Sequence, residues 1–185
     1  MNPKKIDQIG CIDIGSNAIK YKQFRIIAGD NQSYSKELET YKRIPIRLGT
    51  DAFRKGKIRK KTINKLTESL DELVSNLDSK KINLIGGFAT SAMRSASNGS
   101  EVCQHLNAKL NLNIHLLSGD QEAQLLNDLS NSFPADGSYL YVDVGGGSTE
   151  LFYKNSSNVM FKSLNLGAVR IYLEKDHLSE WQDLE

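Results

Sequence analysis

The sequence predicts an α/β protein with a repeated beginning, in which two related lobes face one cleft. Two observations lead there. A strand–Asp–x–Gly turn occurs twice, first as Ile12-Asp13-Ile14-Gly15-Ser16-Asn17 and again as Val142-Asp143-Val144-Gly145-Gly146-Gly147-Ser148-Thr149-Glu150, with the two aspartates 130 residues apart. In that register Gly15 falls on Gly145 and Lys20 on Glu150. The element order reads βββαβαβα and then βββα, an α/β pattern whose start recurs. Two ordinary glycine hairpins are the plainer alternative for the turns.

The elements follow in order. Ile9 to Ile14 is apolar with little alternation, as in a buried strand. Ala18 to Ile27 reads as a second strand, Gly29-Asp30-Asn31 as a turn, and Ser33 to Ile46 as a third strand. Gly49 to Gly56 reads as a loop. Ile63, Leu66, Leu70, Leu73, Val74 and Leu77 recur at three and four residues, which predicts an amphipathic helix over Lys60 to Leu77. Ile82 to Ile85 is a short strand running into Gly86-Gly87-Phe88-Ala89-Thr90. Ser100 is placed to cap a helix through Leu110, and Asn113 to Leu117 is another strand. Ser118-Gly119-Asp120-Gln121 fits a capping box for a helix over Gly119 to Leu129. Ser130 to Ser138 is a polar linker. Tyr139 to Asp143, Thr149 to Tyr153 and Val159 to Ser163 form a second meander, with a polar turn at Asn155 to Asn158. Gly167 to Glu174 looks helical.

Composition sets the bounds. With 185 residues, 39% hydrophobic and 25% charged, the chain reads as globular. A net charge of +2 demands neither nucleic acid nor a membrane surface, and no stretch approaches a membrane span. Two distant cysteines, Cys11 and Cys103, give no disulfide framework and point to a reducing, cytoplasmic setting. The N-terminus has no apolar core of a signal peptide. The basic run Arg54, Lys55, Lys57, Arg59, Lys60 and Lys61 could guide a polyanion, though a solvated helix start is the simpler reading.

The chemistry lies in the turns. Glycine lets backbone approach a ligand or take φ > 0, and successive amides in such a turn make a concave anion site. Gly15, Ser16 and Asn17 in the first turn, and Gly145, Gly146, Gly147, Ser148 and Thr149 in the second, are the candidate phosphate-binding residues. A carboxylate beside a phosphate cradle is what a hydrated divalent cation needs. Asp143 and Glu150 are the candidate metal ligands, with Asp13 a further candidate from its place in the repeat.

Five segments in order carry a family resemblance. They are Ile12 to Asn17; Ala89-Thr90-Ser91-Ala92-Met93-Arg94-Ser95-Ala96-Ser97-Asn98-Gly99; Leu117-Ser118-Gly119-Asp120-Gln121-Glu122-Ala123; Asp143 to Glu150; and Ser163-Leu164-Asn165-Leu166-Gly167-Ala168-Val169-Arg170. The set resembles the exopolyphosphatase / guanosine pentaphosphate phosphohydrolase (Ppx/GppA) family, and covers almost the whole chain. The resemblance implies duplicated ribonuclease-H-like lobes of the actin-like and sugar-kinase superfamily, the first over residues 1–118 and the second beginning at 119. It implies Glu122 as general base, Arg94 as a phosphate contact, and Asp143 and Glu150 as organisers of Mg2+. Gln121, Gln124, Ser95 and Lys20 depart from the residues usual in the family at those positions, which bears on substrate preference and rate.

The function so implied is Mg2+-dependent hydrolysis of a phosphoanhydride, releasing terminal phosphate from inorganic polyphosphate. Alternatives are 5′-phosphate hydrolysis of guanosine pentaphosphate, a non-catalytic alarmone or phosphate sensor, and a kinase or ATPase of the same superfamily. The first lobe uses about 118 residues for the beginning that recurs at Tyr139, and Leu178, Trp181 and Leu184 recur every three positions to the end. The second lobe is therefore expected to be truncated or short, with apolar surface exposed and self-association, such as a homodimer, as a consequence.

Overall fold

A computed structural model describes residues 6–29, 33–129 and 137–173. Residues 30 and 31 of the expected turn, residues 130–136 of the expected linker, and the repeat at Leu178, Trp181 and Leu184 lie outside the described residues. The elements are β1 (Ile6–Ile14), β2 (Ile19–Ala28), β3 (Tyr34–Ile44), α1 (Leu48–Lys55), α2 (Lys60–Ser79), β4 (Asn83–Ala89), α3 (Ser91–Ser95), α4 (Gly99–Leu110), β5 (Ile114–Leu116), α5 (Gly119–Leu129), β6 (Tyr139–Val144), β7 (Thr149–Lys154), β8 (Val159–Leu164) and α6 (Ala168–Leu173). One sheet has five strands in the order β3-β2-β1-β4-β5, and the other has three in the order β6-β7-β8.

β1 lies at the centre of the larger sheet, antiparallel to β2 and parallel to β4. Ile12 and Ile14 of β1 and Ile19 and Tyr21 of β2 are buried together with Leu66, Leu70, Leu73 and Leu77 of α2 and Val102, Leu106 and Leu110 of α4. The three-and-four spacing of the α2 leucines thus faces the sheet, as an amphipathic stripe must. In the smaller sheet, Phe152 of β7 is fully buried, while Leu140, Val142, Val144 and Met160 are exposed.

Two expectations need correction, and one short helix was not anticipated. Gly49 to Gly56 is not a loop but lies largely in α1, which stops at Gly56 in a left-handed conformation with φ 66°. Burial of Leu48 and Ala52 one turn apart holds this helix, and the Gly49 amide donates to Ser16 O at 2.7 Å. The segment Ser91–Ser95 forms the short helix α3. Finally, α4 starts at Gly99 without a side-chain cap; the Asn98 amide is instead bonded to both backbone groups of Ile58, at 2.8 and 2.9 Å. The basic run is exposed throughout, and within it Arg59 is fixed to the buried Asp51 carboxylate, which also accepts from the Arg59 amide and Thr62 Oγ1. That carboxylate therefore organises the first turn of α2, and its pKa is lowered, burial opposing and these hydrogen bonds overcoming it.

Candidate active site

The two glycine turns close in the same way. Gly15 N–H donates to Ala18 O at 3.2 Å, and Gly145 N–H donates to Ser148 O at 2.9 Å. A helix starts on the back of each. Gly49 of α1 donates to Ser16 O, while Ala168 and Val169 of α6 donate to Gly145 O and Gly146 O at 3.0 and 2.8 Å. The first amide of each turn is thus spent inside the hairpin rather than offered to a ligand. Gly145, Gly146 and Gly147 also stay out of the left-handed region. Glycine is needed there for close approach: a Cβ on Gly147 would collide with the Phe53 ring, with Ser91 Oγ at 2.5 Å and with Ser16 Oγ at 2.8 Å. Ser16 and Ser91 share a hydroxyl hydrogen bond of 2.8 Å. The two turns therefore touch, and a cleft of about 500 Å³ opens beside them.

Of the sequence-predicted residues, Asp13, Gly15, Ser16, Asn17, Glu122, Asp143, Gly145, Gly146, Ser148 and Glu150 all line this cleft. Three do not. Gly147 is packed as described, Thr149 Oγ1 donates to Leu166 O at 2.6 Å, and Arg94 lies beside the cleft with its side chain turned onto Glu122. Arg94 Nη1 donates to Leu117 O at 2.8 Å and pairs with Glu122 Oε2. The capping box forms: Gln121 N–H donates to Ser118 Oγ at 3.1 Å and Ser118 N–H to Gln121 Oε1 at 2.8 Å. Glu122 is thereby set in the first turn of α5.

Strand register explains the carboxylates. Asp13 is the cross-strand partner of Lys20, and Asp143 of Glu150. Directly opposed residues of an antiparallel pair present their side chains on one face. The first hairpin therefore holds an ion pair, Lys20 Nζ to Asp13 at 3.2 Å, where the second holds two acids. Glu150 is buried and accepts from Ser163 Oγ at 3.0 Å. Its pKa is raised, chiefly by burial and further by Asp143. Burial pushes Glu122 up to about 7; Arg94 pulls it partly back, and Glu150 and Asp13 add to the rise. Ser163 also packs on the start of α5, where a Cβ on Gly119 would stand 2.8 Å from its hydroxyl.

Asp143 and Glu150 suit Mg2+, a cation that takes one or two protein carboxylates and fills its shell with substrate phosphate and water. Two like charges facing each other, one of them buried, are the arrangement a divalent cation relieves. Asp13 is less available because Lys20 already neutralises it. Among the described residues no group of three His, Cys, Asp or Glu side chains could hold a metal unaided.

Several lining residues were not anticipated. Lys20 and Arg43 bring cations to the cleft, and they are cross-strand partners through the β2–β3 register. Phe88 and Leu125 give it an apolar wall and are 41% and 48% exposed. The hairpin register would have revealed Lys20 once strand ends were fixed; nothing local marks Phe88 or Leu125.

Residues 28–180 match the profile of the Ppx/GppA phosphatase family. The chain belongs to that family. Among its curated relatives, exopolyphosphatase 1 of Mycobacterium bovis is 28% identical over 174 residues, covering 90% of this chain and 48% of its own. A guanosine-5′-triphosphate,3′-diphosphate pyrophosphatase of Pseudoalteromonas translucida is 28% identical over 166 residues, covering 89% and 32%. The crystal structure of an exopolyphosphatase from Cytophaga hutchinsonii superposes with a TM-score of 0.75 at 23% identity, over 92% of this chain and 54% of that one. The Aquifex aeolicus Ppx/GppA family member gives 0.72 at 24% identity, over 97% and 59%. At these identities the superpositions show the fold alone, the mixed α/β, actin-like fold of the Ppx/GppA proteins. The chain spans about a third to a half of the length of these curated relatives.

Proposed function

We propose that the cleft hydrolyses a terminal phosphoanhydride, with inorganic polyphosphate as substrate. The observation that carries this reading is Glu122, a half-buried carboxyl titrating near neutrality in the cleft between two glycine turns. A base works best when its pKa lies near the working pH. Arg94 occupies Oε2, so Oε1 is the oxygen offered to a water. Glu122 takes the water's proton as the oxygen bonds to the terminal phosphorus. The bond from that phosphorus to the bridging oxygen breaks, and the shortened polyphosphate leaves as the anion. The turns around Ser16 and Ser148 position the phosphoryl group, and most of the rate comes from such positioning and charge stabilisation. Asp143 and Glu150 would hold Mg2+, which when bound neutralises phosphate oxygens.

The lobe boundary near Ser118 belongs to the same proposal, supported by the packing of α5 on β7 and β8 rather than on the larger sheet. So do a cytoplasmic setting, supported by the free thiols of Cys11 and Cys103, and association into homodimers, supported by the exposed apolar residues of β6 and β8. No helix among the described residues is long and apolar enough to cross a membrane.

A second reading rests on the apolar wall. Inorganic polyphosphate has no use for Phe88 and Leu125, whereas the base of guanosine pentaphosphate would cover them. Phosphate release from polyphosphate, guanosine pentaphosphate and ATP, each with and without Mg2+, separates the readings. Turnover of polyphosphate alone supports the first, and preference for pentaphosphate supports the second. Tight binding of either without turnover would identify a sensor and defeat both.

A further inference from the structure

Arg170 of α6 stands where four elements meet, and the reaction as described gives it no part. Its Nε donates to Gly147 O at 2.9 Å and its Nη2 donates to Ser95 Oγ at 2.8 Å. Its guanidinium lies 4.2 Å from the centroid of the Phe53 ring of α1. These contacts reach both sides of the cleft. Gly147 belongs to the turn that joins β6 to β7, and so to the segment carrying Asp143 and Glu150. Ser95 ends α3, one residue after Arg94, whose side chain holds Glu122. A planar fork with several donors in fixed directions can satisfy a carbonyl and a hydroxyl while stacking on an aromatic face; an ammonium cannot.

The backbone supports the same junction. α6 begins on the glycine turn, with Arg170 N–H donating to Gly146 O at 3.0 Å. A Cβ on Gly49 of α1 would stand 3.1 Å from Val169 Cγ1. The Phe53 ring is also one of the groups that leave no room for a side chain at Gly147. Arg170 lies against the back of the turn and does not itself line the cleft, although its neighbours Ala168 and Val169 and its backbone partner Gly146 do.

We infer that Arg170 is a positioning residue: by bridging Gly147 and Ser95 it fixes the carboxylate-bearing turn relative to the Arg94–Glu122 pair. It touches no reacting atom in this role. The consequence for turnover rests on the hydrolase reading given above; the mechanical link between turn and α3 does not. A misplacement of the order of 1 Å at a reacting centre can cost about 10²-fold in rate.

The test compares the wild-type chain with Arg170→Ala, Arg170→Lys and Ser95→Ala. Amide hydrogen exchange is followed in peptides covering residues 145–148, 91–95 and the helices α2 and α4. Phosphate release from polyphosphate of one fixed length, with Mg2+, is measured in parallel. Arg170→Ala is expected to speed exchange in the turn at least tenfold and to lower kcat at least tenfold, with KM changed less than threefold. Arg170→Lys should stay closer to alanine than to wild type. Ser95→Ala should speed exchange in the 145–148 turn, although Ser95 lies on another element, and should leave α2 and α4 unchanged. Unchanged exchange in the turn of the alanine variants would overturn the inference. So would acceleration spread equally over α2 and α4, which marks a general loss of stability, or an unchanged kcat in an active Arg170→Ala protein. If the wild type releases no phosphate from any substrate, the hydrolase reading fails, while the exchange data still decide the link.

Discussion

Glu122→Gln is expected to stabilise the protein at neutral and alkaline pH while leaving its stability at acid pH little changed. Burial raises the Glu122 carboxyl from 4.5 to about 7 in the folded protein, against the partial relief given by Arg94. Glu150 and Asp13 also face it and oppose its ionisation, the charge of Asp13 being offset by Lys20. A carboxyl whose folded pKa is raised holds its proton more tightly in the folded state. Its contribution is therefore complete below about 4.5 and lost as pH rises to about 7. That distance, at about 1.4 kcal/mol per pH unit, corresponds to about 3 kcal/mol. Glutamine keeps the shape and neutrality of the protonated acid, so the variant escapes this loss. The difference between variant and wild type should grow between pH 4.5 and 7 and then level off. For a chain of this size it should reach roughly 6–12 °C in Tm. Urea unfolding or thermal melts in parallel buffers, with EDTA to remove divalent cations, give the difference directly, because the groups remote from Glu122 titrate alike in both proteins. A difference that is flat with pH, or that favours the wild type as pH rises, would refute the placement of a largely buried carboxyl with a raised pKa in the cleft.

Asp143→Ala should raise the Mg2+ concentration needed for half-maximal phosphate release, and Glu150→Ala should shift it the same way; an unchanged midpoint in a magnesium titration would count against the metal role. Gly147→Ala should destabilise the fold by about 1–3 kcal/mol, since the added methyl meets Phe53, Ser91 and Ser16 in a packed junction; denaturant midpoints check this. Asp51→Asn should cost about 1–3 kcal/mol at neutral pH by weakening the contacts that start α2. Because the Asp51 pKa is lowered, that loss should shrink as pH falls below 3.8, where the wild-type carboxylate itself becomes protonated.

Much of this architecture was legible because it is local. The leucines of α2 repeat at helical spacing, Ser118 and Gln121 sit at capping-box distance, and each Asp-x-Gly turn follows an apolar run. The same property brought most of the candidate site together, since the turns and α5 are short-range elements whose ends carry the relevant residues. What was missed depends on contacts distant in sequence. α1 has only eight residues and carries Gly49 in its first turn, so it is held by burial of Leu48 and by the Ser16 carbonyl rather than by its own propensity. α3, with five residues, is too short to show a period. The glycines of the second turn were read as conformationally special, but the tightest constraint, at Gly147, comes from Phe53, Ser91 and Ser16, which only the tertiary fold supplies. The pairing of Arg94, expected as a phosphate contact, with Glu122 was not legible either, because it joins residues 28 positions apart on different elements. Arg170 closes the fifth of the motif segments, but its bridging role was not legible there, because its side chain reaches Gly147, Ser95 and Phe53 on other parts of the chain.

The central claim is that Glu122 removes the proton from the attacking water in a phosphate-binding cleft. The most direct measurement is the rate of phosphate release from polyphosphate by the wild type and by Glu122→Gln at saturating substrate and Mg2+, with the dissociation constant of polyphosphate measured for both. The account predicts a rate lowered about 10²–10⁴-fold in the variant, with binding within threefold of the wild type. Equal rates in the two proteins would contradict it.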